Sequence, residues 1–308
     1  MDQLQPSNAC PEGVGDHQRG DALATALEHS RFELVPTEGV EEQADHLPKG
    51  TRVTVGVLSR GIEHSLQIIE RLTRRGLRVV PHLPARRVTD EWHLEEILRR
   101  LEDLGIEELL VVGGDPKQPV GPYRDALGFL SAMSDRGHNF SRVNIGGYPE
   151  GHPDIDDEVL LRVLLDKQPF ATHIVTQMCF DPEKIVAWIA GIRRRGVRLP
   201  VLVGVPGVVE IKRLLRISHK IGVGDSTRFL RKHAGLAGLF FSSFFESGSY
   251  NPDALVGELV PYIGDPDYNI VGFHIYTFNQ VESAERWHRT LLNPAQGATR
   301  PAIPPAPA

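Results

Sequence analysis

The stretch DEWHLEEILRRLEDLGIEELLVVGG, residues 90–114, decides the fold. Its first part has helical periodicity, with Leu94, Ile97, Leu98 and Leu101 on one face, and it stops at Gly105 just after basic and acidic residues. A glycine there is the usual C-terminal stop, because it enters the left-handed region without a Cβ penalty. Its second part, ELLVVGG (108–114), is a short continuous apolar run, as expected of a strand buried on both faces of a parallel sheet. The unit recurs on both sides. The other strand-like runs are RFELV (31–35), RVTVGVL (52–58), LRVVPHL (77–83), RVNIGGY (142–148), HIVTQMC (173–179), PVLVGV (200–205) and IVGFHIYTF (270–278). Helical segments between them include SLQIIERLTRRG (65–76), PEKIVAWIAGIRRRG (182–196) and VVEIKRLLRIS (208–218).

Eight strands mostly separated by helices predict an α/β protein of one domain, a (β/α)8 TIM barrel. An open doubly wound sheet is the alternative. The link from Val35 to Arg52 is too short for a long helix, so the first crossover is abbreviated. The link from Val205 to Ile270 is too long and holds an insertion after strand 7, at about 222–265, containing TRFLRKH (227–233) and PDALVGELVPYI (252–263). On the mouth side of a barrel such an insertion serves as a lid or a subunit contact, which makes a homo-oligomer an open expectation. Residues 1–28 read as a mobile leader, 29–292 as the barrel and 293–308 as a Pro/Ala-rich tail.

Composition excludes several classes. The 308 residues are 41% hydrophobic and 24% charged, an ordinary globular balance. With 34 Lys and Arg against 40 Asp and Glu the net charge is −6, which removes the electrostatic case for nucleic acid. Two cysteines, Cys10 and Cys179, make neither a disulfide framework nor a thiolate metal site. No run approaches the ~20 apolar residues of a membrane span, and no secretory signal opens the chain. The expectation is a soluble, cytoplasmic protein with a small-molecule substrate. Nucleotide fingerprints, G-x-S-x-G and H-E-x-x-H are all missing, and His64, His82, His93 and His152 show no metal-ligand spacing, so no metal is expected.

In a TIM barrel the chemistry lies at the C-terminal strand ends. Those ends carry Glu33, His82, Gly113-Gly114-Asp115, Tyr148-Pro149-Glu150 with His152, Gln177 with Asp181, Pro206-Gly207 and Tyr276-Thr277-Phe278-Asn279. Glu33 lies inside an apolar run, where it is either a structural partner of a buried Arg or an acid of raised pKa. Asp115 follows two glycines and can equally be a turn former. Gln177, amid Val, Met and Phe, needs hydrogen-bond partners that a ligand can supply. His82 alone reads more readily as a core histidine. The glycines of GVGDS (222–226) read as a loop entering a helix.

These motifs, in this order, resemble the methylenetetrahydrofolate reductase family over roughly residues 31–290. FELVP (32–36) is similar to its first-strand F-E-F-x-P, PHL (81–83) to its third-strand P-H-L and GGDP (113–116) to its R-G-D. GYPEGHP (147–153) is similar to its Y-P-E-x-H-P, VTQMCFD (175–181) to I-T-Q-x-x-F-D, VGVPG (203–207) to its P-G turn and HIYTFN (274–279) to F-Y-T-L-N. The resemblance implies a barrel that reduces 5,10-methylenetetrahydrofolate to 5-methyltetrahydrofolate, serving one-carbon metabolism, with NADH or NADPH as reductant and FAD as the family's redox relay. It implies Glu33 as the acid that opens the methylene bridge. Asp115 would lie near the pterin or the redox ring and tune it, and Gln177 would hydrogen-bond the pterin or the nicotinamide. Tyr276 would stand beside them in the substrate site, and His82, Gly114, Tyr148 and His152 would line the cofactor cleft.

Departures from the family pattern point away from flavin. The Arg of R-G-D is Gly113, the second-strand Thr that meets the flavin is Gly56, Lys167 stands one place from the expected Lys, and Pro169-Phe170 replaces a Gly-Ala. A dinucleotide pyrophosphate needs cationic or helix-terminal partners. The expectation is therefore FAD bound weakly or not at all, with hydride passing directly from the nicotinamide. The alternatives are the same reaction through bound FAD, and a folate-binding barrel without turnover.

Overall fold

The computed structural model describes residues 16–293 other than 59, 212, 215–244 and 247–248. Eight parallel strands close into a barrel in which each strand lies beside its sequence neighbours: β1 (Arg31–Leu34), β2 (Arg52–Val55), β3 (Arg78–Pro84), β4 (Glu108–Val112), β5 (Arg142–Gly147), β6 (His173–Thr176), β7 (Val201–Pro206) and β8 (Ile270–Tyr276), which returns to β1. All eight expected strands are present, and closure removes the open-sheet alternative.

The helices form the outer ring: α1 (Asp16–Glu28), α2 (Val40–Ala44), α3 (Gly61–Arg74), α4 (Glu91–Asp103), α5 (Ala126–Arg136), α6 (Asp157–Lys167), α7 (Pro182–Arg194), α8 (Asp253–Leu259) and α9 (Val281–Leu292). Helix α2 is the abbreviated first crossover. Helix α4 buries Leu94, Ile97, Leu98 and Leu101, and the Asp90 carboxylate accepts the His93 N–H at its start. Helices α3, α4 and α7 end alike. The N–H groups of Gly76, Gly105 and Gly196 return to the carbonyls of Thr73, Glu102 and Arg193, and those of Leu77, Ile106 and Val197 reach Leu72, Leu101 and Ile192. This double closure satisfies the orphan carbonyls and needs the positive φ of 70–98° that these glycines adopt.

Two sequence expectations change, and a third is covered only in part. Residues 16–28, read as leader, form α1, whose Ala26 and Leu27 are buried and whose Leu27 carbonyl bonds the His288 ring at 2.8 Å; packing against β8 and α9 supplies what its weak apolar face lacks. Residues 209–210, read as helix, pair antiparallel with Ser249–Tyr250 in a small three-stranded sheet. The insertion is described only in part: PDALVGELVPYI yields α8 and a 3-10 turn at Val260–Tyr262, while TRFLRKH and GVGDS lie outside the described residues, as do Cys10 and the tail from 294. Among the described residues no helix is long and apolar enough to cross a membrane.

Register fixes which side chains point inward. Because paired residues of parallel strands share a face, the pairs Glu33–Thr54, Thr54–Val80, Asn144–His173 and Glu33–Tyr276 thread one alternating set around the interior. Its middle is Val80, Leu110, Val175 and Leu202 with buried Thr54 and Asn144. Above it, at the C-terminal mouth, stand Glu33, His82, Gln177, His274 and Tyr276. Below it, at the N-terminal rim, stand charged residues.

Candidate active site

The mouth is built around the end of β1. Asn279 clasps it: its side-chain amide accepts the Val35 N–H at 2.9 Å and donates to the Val35 carbonyl at 2.8 Å and to Thr37 Oγ1 at 2.9 Å. Thr277 Oγ1 donates to the Glu33 carbonyl at 2.5 Å. Phe278 and Asn279 adopt positive φ of 51° and 59° to make this turn, a conformation that Asn tolerates and Phe holds only under such constraint.

The Glu33 carboxyl held on this clasped strand makes no hydrogen bond to a described side chain. Burial pushes its pKa up to about 7, so it keeps its proton to neutrality. Two imidazoles stand beside it. Ligand atoms of Glu33, His82 and His274 lie within 4.8 Å of one another, and His82 Nε2 and His274 Nδ1 are buried without a partner among the described residues. Burial, with Arg31 adding repulsion, lowers His82 to about 4 and, with His82 and Arg31, takes His274 well below its ordinary value. Both rings are therefore neutral. A carboxylate and two neutral imidazoles are also a donor set able to hold a divalent transition ion, which chain spacing gave no means of seeing.

Tyr276 covers the floor. Its hydroxyl donates to the Thr176 carbonyl at 3.1 Å, and its pKa is raised well above the usual value by burial, then by Glu33 and Tyr148. The ring lies close over β7 at Gly204, where a Cβ would come within 2.4 Å of the Thr176 carbonyl, 2.9 Å of the Tyr276 ring and 3.0 Å of the Gln177 carbonyl. Gln177 thus sits at the same wall, its Oε1 accepting the Met178 N–H at 2.9 Å, which leaves its amide N–H2 to give. Tyr148, raised by burial and by Asp115, stacks edge-on against His152 with centroids 5.4 Å apart. His152 Nδ1 accepts the Asp154 N–H. Asp115 is exposed at the rim, presented by Gly114, whose φ of +91° and approach to Pro84 leave no room for a Cβ. Glu33, His82, Gln177, Tyr148 and Tyr276 therefore converge, with Asp115, Gly114 and His152 on the rim. His274 is the residue sequence reading missed; its only signal is its place two residues before Tyr276, on the same strand face.

Beside the mouth, a cavity of about 680 Å³ opens between α6 and α7, lined by Tyr148, Glu150, Leu161, Lys167 and Trp188 among others. The Lys167 ammonium is lowered to about 8 by burial, partly offset by Asp125.

The sequence profile of methylenetetrahydrofolate reductase matches residues 37–224. The chain belongs to that family. Among relatives, methylenetetrahydrofolate reductase 1 of Schizosaccharomyces pombe is 32% identical over 140 residues, covering 42% of this chain and 22% of that protein. Methylenetetrahydrofolate reductase (NADH) 1 of Arabidopsis thaliana is 23% identical over 222 residues, covering 63% of this chain and 37% of that protein. The chain thus spans well under half the length of these family members. Among solved structures, a chitinase from Bacteroides thetaiotaomicron superposes with a TM-score of 0.51 at 10% identity, over 88% of this chain and 99% of that one, a likeness of barrel fold alone.

Proposed function

We propose that this chain reduces 5,10-methylenetetrahydrofolate to 5-methyltetrahydrofolate, taking hydride directly from NADH, with Glu33 as the general acid. The observation that carries the reading is the Glu33 carboxyl at the barrel mouth, protonated up to about pH 7 and unpaired beside a wall of Gln177 and Tyr276. Glu33 gives its proton to N10 as the bond from N10 to the methylene carbon breaks, which leaves an iminium at N5. The hydride from the nicotinamide then adds to that carbon to give the N5-methyl group and NAD+. Gln177, with its free amide N–H2, and Asp115 suit the polar edge of the pterin. The Glu33 carboxylate left behind is costly in its buried site, so its reprotonation is strongly favoured. The choice of NADH rests on the names of plant relatives from Arabidopsis and maize, which carry that cofactor.

Direct transfer is supported by the places where the family would hold a flavin. Gly113 offers no side chain, and a Cβ there would meet nothing within 4 Å. His82 is neutral, and Arg86, which bonds the Gly113 carbonyl through its backbone N–H, gives its guanidinium to the Arg124 and Pro116 carbonyls. These residues fit a flavin pyrophosphate poorly. The 680 Å³ cavity beside Tyr148, with buried Lys167 in its wall, has the size of a cofactor cleft; direct transfer requires the nicotinamide to stack on the pterin with reacting atoms about 3–3.5 Å apart. The test is the visible spectrum of the purified protein, before and after adding FAD, paired with NADH oxidation. A colourless protein that oxidises NADH only when methylenetetrahydrofolate is present is the expected result. A stoichiometric flavin band overturns direct transfer, and no NADH oxidation with or without FAD overturns the reductase reading in favour of a folate-binding barrel.

A further inference from the structure

Six strands of the barrel open with a charged or ionisable residue: RFEL, RVTV, RVVP, ELLV, RVNI and HIVT begin β1 to β6. Each alone reads as a solvated strand end. Closure of the barrel brings them together, because Arg52 pairs with Arg78 and Glu108 with Arg142, and Arg31 stands level with Arg52 through the Phe32–Val53 pair. A cavity of about 470 Å³ opens at this N-terminal rim, lined by Arg52, Arg78, Glu107, Glu108, Ser141 and Arg142 among others. It lies at the end of the barrel opposite Glu33 and Tyr276.

The charges there do not balance. Arg52, Arg78 and Arg142 line the cavity with Glu107 and Glu108, and buried Arg31, outside the lining, shares Glu108, in a chain whose net charge is −6. Glu108 is already committed to Arg31 at 2.5 Å, to Asn144 at 3.0 Å and to Arg52 at 3.5 Å. Glu107 pairs with Arg78 at 3.6 Å and, among the described residues, with no other cation within 4 Å. The Arg142 guanidinium has no ion pair or hydrogen bond among the described residues, and Arg31 Nε is buried without a partner. Arg52 is held below its usual value by burial, and Arg78 and Arg142 repel it further against the pull of Glu108. Three guanidiniums line this polar cavity, and with buried Arg31 the cluster carries two positive charges in excess of its two carboxylates, which suits a tetrahedral oxyanion.

We propose that this rim cavity binds a phosphate group, either as inorganic phosphate or as the phosphate ester of a small metabolite, held by Arg142, Arg78 and Arg52. The occupant neutralises the excess charge and ties β2, β3 and β5 together from below, so it stabilises the fold and takes no part in the chemistry at the mouth. The test is calorimetric titration of the full chain with inorganic phosphate and, separately, with glycerol 3-phosphate, each against sodium chloride of matched ionic strength. Saturable binding of at least one is expected, and the tighter of the two identifies the free or the esterified form. In the Arg142→Gln, Arg78→Gln double variant affinity falls at least tenfold, while NADH oxidation with methylenetetrahydrofolate is unchanged. Arg78→Gln alone, at a side chain 59% exposed, keeps the test open if the double variant does not fold, and is expected to weaken binding at least threefold. No saturable heat from either compound, or equal affinity in wild type and variants, overturns the proposal.

Discussion

Replacing Glu33 by Gln removes one ionisation and leaves the shape of the mouth, so it tests the acid in two independent ways. The Glu33 carboxyl is raised from 4.5 to about 7 by burial, which at about 1.36 kcal/mol per pH unit makes its ionised form about 3 kcal/mol more costly in the folded chain than in the unfolded one. The sign follows from proton counting. Between pH 4.5 and 7 the folded state binds the proton that the unfolded state has released, so this group's contribution is fully present below 4.5 and is lost as pH rises through about 7. Glu33→Gln carries no such loss. In urea titrations the variant and wild type should therefore be nearly equal at pH 4.5 to 5, and the variant should be more stable by up to about 3 kcal/mol at pH 8, an upper value because the carboxyl faces the open mouth. Turnover should move the other way. A positioned general acid supplies about 10²–10⁴-fold, so kcat falls by that factor while folate binding persists, and the wild-type kcat/KM falls tenfold per pH unit above about 7. A variant that keeps most of its turnover, or a wild-type profile flat from pH 6 to 9, refutes the acid role; equal stability of the two proteins at pH 8 refutes the buried, raised carboxyl itself.

Three further substitutions test the scaffold beneath the site. Glu108→Gln strips the carboxylate that holds buried Arg31 and Arg52 and should cost about 3–5 kcal/mol in urea unfolding. Because burial is outweighed by the Arg31, Asn144 and Arg52 partners, which together hold Glu108 below its ordinary pKa, wild type should lose this contribution as pH falls below the ordinary carboxylate range, and the variant should not. Gly204→Ala puts a methyl 2.4 Å from the Thr176 carbonyl and 2.9 Å from Tyr276, so it should destabilise by about 1–3 kcal/mol and lower turnover by displacing the Tyr276 wall, read by thermal unfolding and steady-state kinetics. Asn279→Ala opens the clasp on Val35 and should cost about 1–3 kcal/mol, with kcat reduced more than folate affinity, since the segment it frees carries Glu33.

What could be read from the chain follows from how local each signal is. The strands are legible because burial on both faces writes a continuous apolar run, and Glu33, Gln177 and Tyr276 stand out because a polar residue at the end of such a run needs a partner, whereas His82 alone reads as a core histidine. Helix α1 is hidden because DHQRGDALATALE holds little apolar surface; Ala26 and Leu27 become core only when β8 and α9 arrive from the far end of the chain. His274 is hidden for a related reason: inside IVGFHIY it looks like one more buried strand residue, and only the pairings of Arg31 with His274 and of Glu33 with Tyr276 bring it round to the carboxyl. The rim arginines are the extreme case. Each opens its own strand, so each is locally explained as a solvated end, yet all four point the same way because parallel register copies inward orientation from strand to strand. A ring of eight strands thus turns the separate first residues Arg52, Arg78, Glu108 and Arg142 into the lining of one charged chamber, and with Arg31 behind Glu108 that rim holds more positive charge than its own carboxylates neutralise.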